Sequence, residues 1–185
     1  GLLRRQRQMC IRDRYKEIVS NLLRRHYKKQ ELDDKFSSDY LKTYLKMLDP
    51  GKNYFLKSDI NSFQKWSDQL DDYSQSGFIS PGSEIFNIFK YRYLTRLNKN
   101  ISLLEDQSST FNLDTNQTIS YDIESKDWMS STQEANEYWK RRLTDLLIRQ
   151  FLNDEDENLE DAKEVLIKRF KNCLLYTSPS PRDRS

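Results

Sequence analysis

The sequence predicts a mainly α fold, a multi-helix domain with one short extended or β segment near residues 110–123, and three observations carry that prediction. Gly and Pro number only four each in 185 residues, too few to punctuate a many-turned β fold. Apolar residues recur at intervals of three and four along most of the chain, the period that puts them on one face of an α-helix. Eleven Tyr, nine Phe and three Trp are too many aromatics for a disordered chain and supply the core of one that is only 36% hydrophobic and 32% charged. No window approaches the roughly 18 uninterrupted apolar residues of a membrane-spanning helix. The basic start lacks the apolar run and small-residue cleavage site of a signal peptide.

The elements follow in order. Ile18, Leu22 and His26, with Val19 and Leu23 beside them, mark a helical stripe from Tyr15 that runs out near Lys29. Asp33 or Asp34 can cap a second helix whose apolar positions are Phe36, Tyr40, Leu41, Tyr44, Leu45 and Leu48. Asp49-Pro50 stops it, and Pro50-Gly51 suits the central positions of a type II turn, Gly51 taking the positive φ. Ser58 reads as the N-cap of a third helix with Asp59 in its first turn, Ile60, Phe63, Leu70 and Tyr73 on its buried side, and Gly77 at its left-handed end. Pro81 in a first turn opens the longest periodic run, Phe86 to Leu104, about 25 residues of helix. Between Ser108 and Ile123 the alternation of Phe111, Leu113, Ile119, Tyr121 and Ile123 with polar residues has the two-residue period of a strand or extended arm. Ser131 and Glu134 have capping-box spacing before a helix through Phe151, and Leu159–Asn172 forms the last, acidic at its start and basic at its end.

The two ends read differently. Cys173-Leu-Leu-Tyr-Thr-Ser178 back-translates to TGT CTC TTA TAC ACA TCT, and the reverse complement in a shifted frame contains ATG TGT ATA AGA GAC, which is Met9-Cys-Ile-Arg-Asp13. Residues 4–14 and 173–183 thus resemble translated sequencing-adapter DNA in opposite orientations, and 1–14 and 173–185 are expected to be artefactual, disordered ends around a truncated domain at 15–172. The ends carry a net charge of +5, so the whole-chain +2 becomes −3 for 15–172. Both cysteines, Cys10 and Cys173, leave with the ends, and 15–172 offers no disulfide or thiolate metal site.

Little in 15–172 has the pattern of a catalyst. His26, the one histidine, lies on an apolar stripe and reads as structural. No Gly-x-Ser-x-Gly elbow or glycine-rich phosphate loop is present. Asp33-Asp34 and Asp71-Asp72 are adjacent pairs that point about 100° apart on a helix, and they read as caps and solvated faces. Asp154, Asp156 and Asn158 mimic the opening of a calcium loop, but Leu159 stands where Gly is needed and Val165 where the bidentate Glu belongs. The basic runs Arg24–Lys29 and Lys140–Arg142 sit in acidic surroundings and read as solvated faces before a nucleic-acid site. Asn100-Ile-Ser102 and Asn116-Gln-Thr118 are formal glycosylation sequons. No cofactor or metal is expected.

One stretch is distinctive: Leu48-Asp-Pro-Gly-Lys-Asn-Tyr-Phe-Leu-Lys-Ser-Asp-Ile60. Its signature residues Asp49, Pro50, Asn53, Tyr54, Phe55, Ser58 and Asp59 are read as structural: a turn, two aromatic rings to fix it, and a helix start. The stretch resembles the N-terminal domain of tail-specific proteases, also called carboxy-terminal processing proteases. The resemblance extends through His26-Tyr27, Leu32-Asp33-Asp34, Leu70-Asp71-Asp72, Ile85-Phe86-Asn87 and Tyr138-Trp139-Lys140-Arg141-Arg142, in that order, over 15–172. It implies a periplasmic serine endopeptidase acting on apolar C-terminal ends of protein substrates. In that family a helical N-terminal domain precedes a PDZ domain and a catalytic domain with a Ser/Lys dyad. No position here matches the serine or lysine motif, so no catalytic residue carries over and the fragment is expected to be inactive alone. The partners implied are those downstream domains, protein substrates and, for some members, an adaptor lipoprotein. The rival readings are a stand-alone helical interaction domain, favoured by a gene that ends soon after Asn172, and a nucleic-acid-binding helical domain, marked by steeply salt-dependent binding.

Overall fold

A computed structural model describes residues 2–25, 32–113, 122–153 and 158–177. It contains α1 (Leu2–Arg25), α2 (Asp34–Leu48), α3 (Lys57–Phe63), a 3-10 turn (Gln64–Trp66), α4 (Leu70–Ser76), α5 (Ser80–Glu105), α6 (Thr132–Asn153) and α7 (Leu159–Thr177). No strand occurs among the described residues, so the fold is mainly α as predicted. The chain divides into two compact units, residues 1–89 and 90–185, with the division inside α5.

In the first unit, α1 and α2 pack on α4. Asp33 caps α2, its Oδ1 accepting from the Phe36 amide at 2.7 Å. Leu41, Leu45, Phe55, Phe63, Trp66, Leu70 and Ile85 are buried. Each such side chain contributes about 1.5–3 kcal/mol on full burial. Phe36, Tyr40 and Tyr44 form a ladder of near-parallel rings with centroids 5.9 and 6.5 Å apart, at the edge of the core and not within it.

Three expectations are corrected here. The single third helix is broken into α3, a 3-10 turn and α4. A long-range bond holds the start of α4: Ser37 Oγ of α2 accepts from the Asp71 amide at 2.8 Å and donates to Asp71 Oδ1 at 2.7 Å. The bond gives a partner to one of the first-turn amides that α4 cannot satisfy itself. Asp71 is also buried, not solvated as its pairing with Asp72 suggested. Nor is Ser58 the cap: α3 begins at Lys57, and Leu56 holds the N-cap position. The apolar stripe of α1 is exposed at Ile18, Leu22 and Leu23. The helix instead approaches α4 through Tyr15, which donates to Ser74 Oγ at 3.2 Å. The stems of Arg12 and Lys16 lie where a side chain on Gly77 would project. Gly77 ends α4 as predicted, at φ 73°, with the Phe78 amide donating back to the Tyr73 carbonyl at 2.8 Å.

In the second unit, Leu97, Ile101, Leu104, Leu143, Leu147, Ala162, Leu166 and Phe170 form one buried cluster from α5, α6 and α7, with Phe111 and Leu113 packed against it. Residues 108–113 and 122–123 carry no strand; residues 114–121 lie outside the described residues. Ser131 Oγ accepts from the Glu134 amide at 3.1 Å, while the Glu134 carboxylate reaches Ser130 and not Ser131, accepting from its amide at 2.7 Å. Asn158 Oδ1 accepts from the Glu160 and Asp161 amides at 2.9 and 3.0 Å, so the residue that resembled a calcium ligand starts α7. The helices cross both predicted boundaries of the 15–172 domain: α1 is continuous through residue 14 and α7 through 173.

Candidate functional site

The signature segment joins α2 to α3, and one carboxylate organises it. The apolar face of α2 carries the chain into the core, so Asp49, its C-cap, is only 1% exposed. A buried charge needs several donors to offset lost hydration. Asp49 finds them in the backbone ahead of it: Oδ1 accepts from the Asn53 amide at 2.8 Å, and Oδ2 accepts from the Tyr54 and Phe55 amides at 2.8 and 3.0 Å. Its carbonyl also accepts from the Lys52 amide at 3.1 Å, which closes the turn.

The turn itself departs from expectation. Pro50 and Gly51 do occupy its centre, but the positive φ falls on Lys52, at 50°, and not on Gly51. That excludes type II, whose third residue must have positive φ. Wrapping three successive amides around one carboxylate requires the chain to reverse just before Asn53, and Lys52 takes the left-handed conformation to do so. Glycine at 51 has a steric reason instead: a Cβ there would collide with the Asn53 side-chain amide.

Beyond the turn, Asp59 Oδ2 accepts from the Leu56 amide at 2.9 Å. Leucine has no acceptor to return the bond, so half of a capping box forms. Between the two carboxylates, Phe55 is fully buried, edge-on to Phe63 at 5.5 Å and tilted against Phe89 at 5.6 Å, while Tyr54 meets Phe89 edge-on at 5.9 Å. Six of the seven signature residues therefore build one closed reversal: Asp49, Pro50, Asn53, Tyr54 and Phe55 shape the turn, and Asp59 starts α3. Ser58 is exposed in the first turn of α3.

Chemically this arrangement holds backbone. The lone pairs of Asp49 are directed at three amides inside a closed turn, and no nucleophile with a neighbouring base is part of it. Among the described residues no group of three or more His, Cys, Asp or Glu side chains is placed to hold a metal ion. His26 and Asn116 lie outside the described residues. Asn100 is fully buried, and its Oδ1 and Nδ2 have no hydrogen-bond partner among the described residues, so this sequon is closed to modification in the folded chain.

Sequence reasoning missed the Ser37–Asp71 pair, whose only signal was an acidic pair in a helix with a serine on another. It also missed what the basic run after Tyr138 does. Trp139 is 3% exposed, with the Arg142 guanidinium 5.7 Å and that of Arg96 6.0 Å from its ring. Arg96 further donates to Asn136 Oδ1 at 3.1 Å. Part of the run thus packs on an aromatic ring, while Lys140 and Arg141 are exposed. In the first unit, burial pushes the Tyr40 and Tyr44 hydroxyls above their ordinary value, Tyr40 further so through the neighbouring Tyr15. At the end of α5, bonds from Ser108 and Ser109 hold the Asp106 carboxyl below its ordinary value.

Comparison with known proteins bears on these residues directly. The family described as "Tail specific protease N-terminal domain" matches residues 18–181, a span that includes the whole signature and passes Asn172. A tail-specific protease of Haemophilus influenzae (strain ATCC 51907 / DSM 11121 / KW20 / Rd) is 30% identical over 169 residues, which cover 91% of this chain and 24% of the relative. The chain spans about a quarter of the length of that curated relative.

Proposed function

The chain belongs to the family of tail-specific protease N-terminal domains, and on that premise we propose that it is the non-catalytic helical scaffold of a periplasmic serine endopeptidase that degrades or processes proteins from apolar C-termini. The observation that carries this reading is the use made of the signature residues. The two signature carboxylates, Asp49 and Asp59, accept from backbone amides of their own turn, and the aromatic side chains fill its core. Such a module shapes a body and performs no bond cleavage.

In this reading the peptide-binding PDZ domain and the Ser/Lys dyad belong to the remainder of the protease, with the lysine amine as general base. The scaffold contributes substrate enclosure or the docking of an adaptor lipoprotein. Residues 1–14 and 173–185 are, in the same proposal, translated adapter sequence, which sequencing the natural gene from an unamplified clone tests. No helix among the described residues is long and apolar enough to cross a membrane.

The functional test is peptide cleavage by the purified chain. A peptide with an apolar C-terminus should remain intact, with or without chelator. Robust cleavage that copurifies with the chain through successive columns would overturn the assignment of chemistry to other domains.

A further inference from the structure

We draw no further inference here: the strongest candidate, the exposed apolar stripe of Ile11, Ile18 and Leu22 along α1, is an unpartnered helix face, and nothing in the structure shows what covers it.

Discussion

Replacing Asp49 with Asn removes little volume and one charge, and it sets three backbone donors against a side chain with one acceptor atom. In the best orientation the amide oxygen takes the place of Oδ2 and keeps the Tyr54 and Phe55 amides, at 2.8 and 3.0 Å in the parent. The new NH2 then faces the Asn53 amide, donor against donor, where the parent has a bond of 2.8 Å. Losing one bond to a charged acceptor costs about 1.5–3 kcal/mol. The two retained bonds fall from charge-assisted to neutral strength, about half, so the total should be roughly 2–4 kcal/mol. Asp49→Ala loses all three and should cost about 3–5 kcal/mol, since the Phe55 amide is left buried. If the whole chain unfolds as one, 3 kcal/mol lowers Tm by roughly 6–12 °C. Urea and thermal unfolding followed by far-ultraviolet circular dichroism measure this, with Asp39→Asn as control. Asp39 pairs with Lys42 only at the surface, at 3.8 Å, and its loss should stay within about 0.5 kcal/mol. An Asp49→Asn protein no less stable than Asp39→Asn would refute the carboxylate as the organiser of the turn.

Three further outcomes are expected. Gly51→Ala should destabilise by about 0.5–1.5 kcal/mol by forcing the Asn53 side chain out of its rotamer, and by clearly less in an Asn53→Ala background; equal costs in both backgrounds would mean that the clash is not the cause. Asn100→Leu, which has the same branched shape without polar atoms, should stabilise by about 1–3 kcal/mol by removing an unsatisfied buried amide, whereas a loss of stability in urea unfolding would show that the amide has a partner. The raised hydroxyls of Tyr40 and Tyr44 favour the neutral forms in the fold. Their contribution is therefore complete below the ordinary value of 10.0 and lost as pH rises through the folded values. Replacing both with Phe should flatten the alkaline decline in stability and remove two late tyrosinates from an absorbance titration, leaving that of Tyr93, which burial also raises, and an unchanged alkaline limb would contradict the assignment.

What was legible in the sequence was what depends on near neighbours. The cap at Asp33, the left-handed end at Gly77, Pro81 in the first turn of α5 and the reach of α5 all follow from residues within one or two helical turns. The stop after Leu48 was equally plain. What stayed hidden depends on distant partners. Asp71 looks like any first-turn acid until Ser37, 34 residues earlier, is set against it, and that bond anchors a helix start that the unbroken apolar spacing does not reveal. Pro50-Gly51 reads as type II by residue preference alone, and the three amides gathered by Asp49 move the positive φ one residue further. The α1 stripe has helical period, but periodicity marks a face without saying whether anything packs on it. In the candidate site, the residues were recognisable as a set before their bonds were, because turn chemistry and aromatic content are local, whereas the burial of Asp49 is a property of the surrounding core.

The most direct test of the signature as a folding device is made in the full-length protease encoded by the natural gene, comparing kcat for an apolar-tailed peptide with thermal stability in Asp49→Asn. The account predicts a lowered Tm with kcat close to that of the parent at temperatures well below unfolding. A kcat that collapses while Tm stays unchanged would place Asp49 in the chemistry and contradict it.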